Sequence, residues 1–138
     1  MKQKKYRFET LQIHAGLPAD DPTCARGLSI TPTAAYRFRS CDHAARLFEL
    51  SEAGNIYTRL QNPTTAAFEQ RIAALYGAVG ALALSSGMSA VLTAVVSLAR
   101  AGDNIVASPC LYGGTYNLFR TTLRRLGIDC RIAGSLRP

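Results

Sequence analysis

Ser85-Ser86-Gly87-Met88 stands between a short apolar run, Ala81-Leu82-Ala83-Leu84, and a segment in which Val91, Val95 and Leu98 recur at i, i+4 and i+7. That order reads as strand, tight turn and helix. The first N–H groups of a helix have no intrahelical acceptor and carry the positive end of the macrodipole, so phosphate is held there without a charged side chain. Gly87 lets the backbone come close to it. An isolated Ser-Ser-Gly turn is equally well a capped helix start, because serine is a favoured N-cap. Arg59 offers a planar fork of donors matched to phosphate oxygens, and Tyr57 places a hydroxyl donor beside it. Taken alone, Arg59 is also readable as a solvated loop charge and Tyr57 as a packing aromatic. Tyr112, followed by Gly113 and Gly114, has a flat apolar face with a polar tip in a stretch of open backbone. Its alternative is a core tyrosine.

The elements that must position these residues belong to one globular domain of ordinary size. The chain has 138 residues, 48% hydrophobic and 18% charged, enough to bury a core. Its 16 basic and 9 acidic side chains leave a net charge of +7, but the positive residues are dispersed, so a nucleic-acid partner is not expected. Lys2, Lys4 and Lys5 are the only lysines. Cys24, Cys41, Cys110 and Cys130 are widely separated, with no CxxC pair and no histidine at ligand spacing, which fits reduced thiols in the cytoplasm and no metal site. His14 and His43 read as surface residues. The basic start lacks an apolar h-region, and the longest near-apolar stretch, residues 73–84, is interrupted by Gly77 and Gly80 and is too short to span a membrane.

Met1 to about Ile30 shows little periodicity and is punctuated by Gly16, Pro18, Asp20, Asp21 and Pro22, as an arm would be. Residues 31–38 read as extended. Ser40 or Asp42 caps a short helix through Leu50, with Leu47 and Leu50 on one face and Gly54 closing its exit. Asn62 and Pro63 form a strong helix start, Phe68, Ile72 and Leu75 its apolar stripe, and Gly77 its end. After the Ser86 turn and its helix, which Gly102 should stop, come a strand at Ile105–Ser108 and the Tyr112 loop. A helix with contacts at Leu118, Leu123 and Leu126 follows, then Gly127 and a strand at Ile128–Ile132. The alternation β-α-β-α-β indicates a parallel sheet whose ligand site lies beyond the carboxyl ends of its strands. A third strand at the very end favours a piece of a larger protein over a minimal sheet with exposed edges.

Together, Tyr57-Thr58-Arg59 with Asn62-Pro63-Thr64, Ser86-Gly87-Met88-Ser89-Ala90, and residues 111–119 (Leu-Tyr-Gly-Gly-Thr-Tyr-Asn-Leu-Phe) resemble the pyridoxal-phosphate enzymes of cysteine and methionine metabolism. This is the family of cystathionine gamma-synthase and O-acetylhomoserine sulfhydrylase. Residues 10–16 (Thr-Leu-Gln-Ile-His-Ala-Gly) join the pattern, which runs from about Thr10 to Ile132. The resemblance implies part of the large α/β domain of a fold-type I pyridoxal-phosphate transferase, a parallel-rich sheet flanked by helices, truncated before the rest of the sheet and the C-terminal domain. It divides the chain into an arm and cofactor-reaching loop (1–60), a partial cofactor-binding domain (61–132) and a tail (133–138). It implies that Ser86, Gly87 and Met88 hold the cofactor phosphate, that Tyr57 and Arg59 reach into a neighbouring subunit's site, and that Tyr112 stacks on the pyridine ring and takes part in proton movement. A homo-oligomer follows. Gly114 stands where methionine gamma-lyases commonly have cysteine, which leans toward the O-acetylhomoserine sulfhydrylase branch.

The implied chemistry is gamma-replacement: acetate leaves O-acetylhomoserine and sulfide or a thiol adds, giving homocysteine or methionine, with the cofactor as electron sink. The family places the Schiff-base lysine, the carboxylate on the pyridine nitrogen and the arginine for the substrate carboxylate downstream of Pro138, so the chain alone is expected to be inactive. The alternatives are a non-catalytic truncated homologue that pairs with a full-length subunit, or another member of the same family.

Overall fold

The computed structural model describes residues 6–18 and 24–134. Lys2, Lys4 and Lys5, the turn residues Asp20 to Pro22, and most of the tail at 135–138 lie outside them. Two compact units divide between Ala83 and Leu84.

In the first unit, α1 spans Phe8–His14 where an irregular arm was expected. Seven residues are too few to hold a helix by propensity alone. Packing supplies the difference, because the turn after α1 sits on α3 (Pro63–Tyr76). Gly16 takes φ +76, a Cβ there would overlap the Ala67 carbonyl oxygen, and Arg71 Nε donates to Ala15 O at 2.8 Å. The α3 helix begins as its sequence indicates. Asn62 Oδ1 accepts from the Thr64 N–H at 2.9 Å, Pro63 occupies the first turn, and Gly77 closes the end at φ +62. Its buried positions are Ala67 and Ala73, whereas Phe68 of the expected stripe is 56% exposed. Small residues on that face let backbone approach backbone, which a phenylalanine would prevent.

The α2 helix, Cys41–Phe48, is capped by Ser40 Oγ, which accepts from the His43 N–H at 3.1 Å. Leu47 is buried, but Leu50 lies past the helix at φ +58 and is exposed. Leu50 therefore makes the exit turn assigned to Gly54, while Gly54 leaves room for the Leu47 side chain, 2.8 Å from where its own Cβ would stand. His43, expected at the surface, has a side chain only 12% exposed. Its Nδ1 accepts from the Arg39 N–H, and its Nε2 lies 3.5 Å from Glu52. Arg46 Nε also donates to Glu52 at 2.8 Å, and that bond holds the carboxyl below its ordinary pKa.

In the second unit, α4 (Gly87–Leu98) precedes β1 (Asn104–Ala107), and β2 (Asp129–Ile132) pairs with β1 in parallel, Ile105 facing Cys130 in register. Between the strands runs one helical stretch: α5 (Gly113–Asn117), a π-helical turn (Leu118–Thr122) and α6 (Leu123–Arg125). Phe119, Leu123, Ile128 and Cys130 form the buried core, with Val91, Leu92, Val95 and Ala99 packed against it. Burial pushes the Cys130 thiol pKa up, as suits a core side chain. Leu98 and Leu126, expected as helical contacts, are exposed. The α4 helix stops at extended Ala99, ahead of Gly102, which instead makes the next turn at φ +96 and donates its N–H to Gly127 O at 2.9 Å.

The two later strands lie where the sequence places them within a residue. The first does not form: Ala81-Leu82-Ala83-Leu84 joins no ladder among the described residues, and the Ala83 N–H donates to Glu69 Oε1 at 2.8 Å. A strand exists only with a partner, and an apolar run carries no information on whether one is present.

Candidate functional site

Ser86 enters α4 in extended conformation, φ −157 and ψ 158, and its Oγ accepts from the Ser89 N–H at 3.1 Å. Its hydroxyl also meets Ser89 Oγ at 2.9 Å. The cap therefore satisfies the third N–H of the helix and leaves those of Gly87 and Met88, which find no acceptor among the described residues. A Cβ on Gly87 would meet nothing within 4 Å. No acidic side chain stands in the first turn of α4. Two free donors, open space above them and the positive helix end form a cradle for an anion, with roughly half an elementary charge of helix dipole behind it. The residues fit a phosphate group.

Tyr112 belongs to the same unit. It is the residue before α5, on the loop beyond the carboxyl end of β1, and is 77% exposed. Its ring lies along the first turn of α5: both Tyr112 Cδ1 and Met88 Sδ are 3.3 Å from where a Cβ on Gly114 would stand. Thr115 Oγ1 donates to that sulfur at 3.9 Å. The structure thus brings Met88 and Tyr112 together around Gly114. Tyr112 is not part of the buried core of this unit.

Tyr57 and Arg59 form a second group, in the first unit. Arg59 lies over the Tyr57 ring with its guanidinium carbon 5.2 Å from the ring centroid. That stacking orients the guanidinium while leaving its N–H groups free for an anion. Tyr57 bridges antiparallel to Ala35, the Thr58 hydroxyl donates to Thr33 O, and Asn62 Nδ2 donates to both Thr31 O and Thr58 Oγ1 at 3.0 Å. An open hollow of about 520 Å³ lined by Thr31, Thr33, Tyr57, Thr58 and Arg59 results. Asn62, read from sequence as a helix cap and as part of the Asn62-Pro63-Thr64 motif, is 5% exposed and ties the Tyr57 loop to the segment at Thr31. No periodic signal could have shown Thr31 and Thr58 as its partners. Among the described residues no group of three or more His, Cys, Asp or Glu side chains is placed to hold a metal, and no helix is long and apolar enough to cross a membrane.

A family model described as Cys/Met metabolism PLP-dependent enzyme matches residues 9–136. The chain is 51% identical over its whole length to a homocysteine synthase of Schizosaccharomyces pombe and covers 32% of it. It is 54% identical over 91% of its length to O-acetyl-L-homoserine sulfhydrylase 1 of Thermus thermophilus, of which it covers 30%. A crystal structure from Campylobacter jejuni, provisionally named an O-acetylhomoserine (thiol)-lyase and holding a pyridoxyl-lysine phosphate group, superposes with a TM-score of 0.87 at 38% identity. The match covers 93% of this chain and 32% of that one. The chain spans about a third of the length of these relatives. With the Ser86 turn, the Tyr112 loop and the Tyr57 loop all inside the matched region, the chain belongs to the family of pyridoxal-phosphate-dependent enzymes of cysteine and methionine metabolism.

Proposed function

We propose that this chain is the N-terminal, phosphate-binding part of an O-acetylhomoserine sulfhydrylase, which replaces the acetate of O-acetylhomoserine with sulfide or a thiol to give homocysteine or methionine. The pair of N–H groups at Gly87 and Met88, unpartnered among the described residues, carries the reading, in a chain about half identical to sulfhydrylases and homocysteine synthases. Pyridoxal phosphate, when bound, supplies the electron sink for breaking bonds at the substrate carbons. This chain's residues supply part of the binding. The Ser86 cap holds the first turn of α4 in shape, and Gly87 and Met88 donate to phosphate oxygens. Tyr112 presents its ring face to the pyridine and its hydroxyl to a proton in transit. Arg59, held on Tyr57, donates its fork to the phosphate of a neighbouring subunit, so the working unit is a homo-oligomer of at least two chains, in the cytoplasm. The lysine, the carboxylate for the pyridine nitrogen and the arginine for the substrate belong to sequence beyond these 138 residues.

The test is a chimera in which this chain replaces the matching N-terminal third of the Thermus thermophilus enzyme. It is expected to form homocysteine from O-acetylhomoserine and sulfide. Arg59→Ala in the chimera should weaken cofactor retention by about tenfold or more, the scale of a lost charge-assisted hydrogen bond. Mixing it with a chimera carrying Gly87→Pro should recover some sites, because each hybrid dimer keeps one with both elements intact. A folded, cofactor-loaded chimera that ignores O-acetylhomoserine would overturn the reaction, and mixed chains that never recover cofactor would overturn sharing between subunits.

A further inference from the structure

We propose that Gly114 is a positioning residue for the Tyr112 ring, and so sets the face that this part of the site offers to a flat ligand. The inference rests on reading Tyr112 as the stacking ring and goes beyond it by naming what leaves room for the ring where it stands. An ideal Cβ built on Gly114 would stand 2.7 Å from Tyr112 Cε1 and 3.3 Å from both Tyr112 Cδ1 and Met88 Sδ. The ring therefore occupies the space a side chain at 114 would fill. On the far side stands Met88 Sδ, but moving the sulfur would leave the 2.7 Å approach to the Tyr112 ring unrelieved, so a group added at 114 cannot be absorbed by moving the sulfur alone. Tyr112 is 77% exposed, which leaves its ring free to turn outward. Gly114 is not among the glycines with positive φ, and it lies in the first turn of a helix, where alanine is the better helix former. A methyl group at 114 thus changes where the ring points and leaves the fold standing. Its neighbour Gly113 supplies the control, since a Cβ there would meet nothing within 4 Å.

The experiment uses the 138-residue chain with Gly114→Ala, Gly113→Ala, Tyr112→Ala and the Tyr112→Ala/Gly114→Ala double variant. One readout is the nuclear magnetic resonance signature of the Tyr112 side chain: its ring-proton shifts and the couplings that report its χ1 rotamer. The other is binding of pyridoxine 5'-phosphate, which has the ring and phosphate of the cofactor but no aldehyde to react with amines, compared with inorganic phosphate. Gly114→Ala is expected to move the Tyr112 signals, keep the thermal midpoint and weaken pyridoxine phosphate binding by about fivefold, the size of an aromatic stacking contribution. Inorganic phosphate should bind as before, Gly113→Ala should do none of this, and the effect of Gly114→Ala should vanish in the Tyr112→Ala background. Unmoved Tyr112 signals in Gly114→Ala, or an equal loss of binding with and without the tyrosine ring, would overturn the positioning role. Pyridoxine phosphate bound equally well by Tyr112→Ala and by the unaltered chain would instead remove the stacking reading, and the role in ligand presentation with it.

Discussion

Gly16→Ala is expected to detach α1 from α3 and to cost the first unit at least about 2 kcal/mol, because two penalties act at one residue. The backbone at Gly16 is left-handed, φ +76, and an added Cβ would overlap the Ala67 carbonyl oxygen and lie 3.0 Å from its carbon and 3.2 Å from the Arg71 nitrogen. Backbone atoms inside a helix cannot move aside as a side-chain end can. The turn must therefore lift away, and the 2.8 Å bond from Arg71 Nε to Ala15 O goes with it. Hydrogen exchange of the α1 amides should rise toward that of free chain, and the urea midpoint should fall. Gly27→Ala is the comparison: its φ is not positive, a Cβ there would meet nothing within 4 Å, and the change should stay within about 0.5 kcal/mol. Equal midpoints for the two variants would show that the turn after α1 does not hold the first unit together.

The second large effect is a loss of covalent chemistry. Lys2, Lys4 and Lys5 are the only side-chain amines in the chain, crowded into the first five residues among like charges. A lysine that serves pyridoxal phosphate must be held against the ring and partly desolvated so that its neutral amine is available. The expected outcome for the 138-residue chain is sparse borohydride-trapped label spread over Lys2, Lys4, Lys5 and the terminal amine, with no homocysteine formed from O-acetylhomoserine and sulfide. Stoichiometric labelling of one of these lysines together with turnover would show that the chain carries its own catalytic amine.

Local chemistry was legible in the sequence, and dependence on distant partners was not. The starts of α2, α3 and α4 follow from Ser40, Asn62 and Ser86, because a cap is a bond between a side chain and an N–H two or three residues away. Residues 81–84 have a strand's composition yet join no ladder among the described residues, since a ladder depends on a second segment. Phe68, Leu50 and Leu98 share helical spacing with buried or half-buried neighbours but are exposed. Periodicity tells which residues share a stripe, not where the stripe meets its partner. The α1 helix was missed for the complementary reason: its support comes from α3, some fifty residues on. At the candidate site the Ser86-Gly87-Met88 turn and the Tyr57-Thr58-Arg59 loop could be named from residue types. The hub made by Asn62 and the contact of Tyr112 with Gly114 needed coordinates.

The anion cradle at the start of α4 is the central claim, and one substitution isolates it. Gly87 is the first residue of the helix, where proline is well tolerated, and Ser86 before it is already in the extended conformation that proline requires. Gly87→Pro should leave α4 intact while removing one of the two donors and filling the open space above them. Phosphorus magnetic resonance of pyridoxine 5'-phosphate titrated with the 138-residue chain reads the phosphate directly. The expected result is a saturable shift and broadening of the phosphorus signal with the unaltered chain, weakened about tenfold or more in Gly87→Pro at unchanged helix content, as removal of one hydrogen bond to a charged group requires. A phosphorus signal that stays at its free position with the unaltered chain, or that shifts equally with Gly87→Pro, would contradict a phosphate site at this turn.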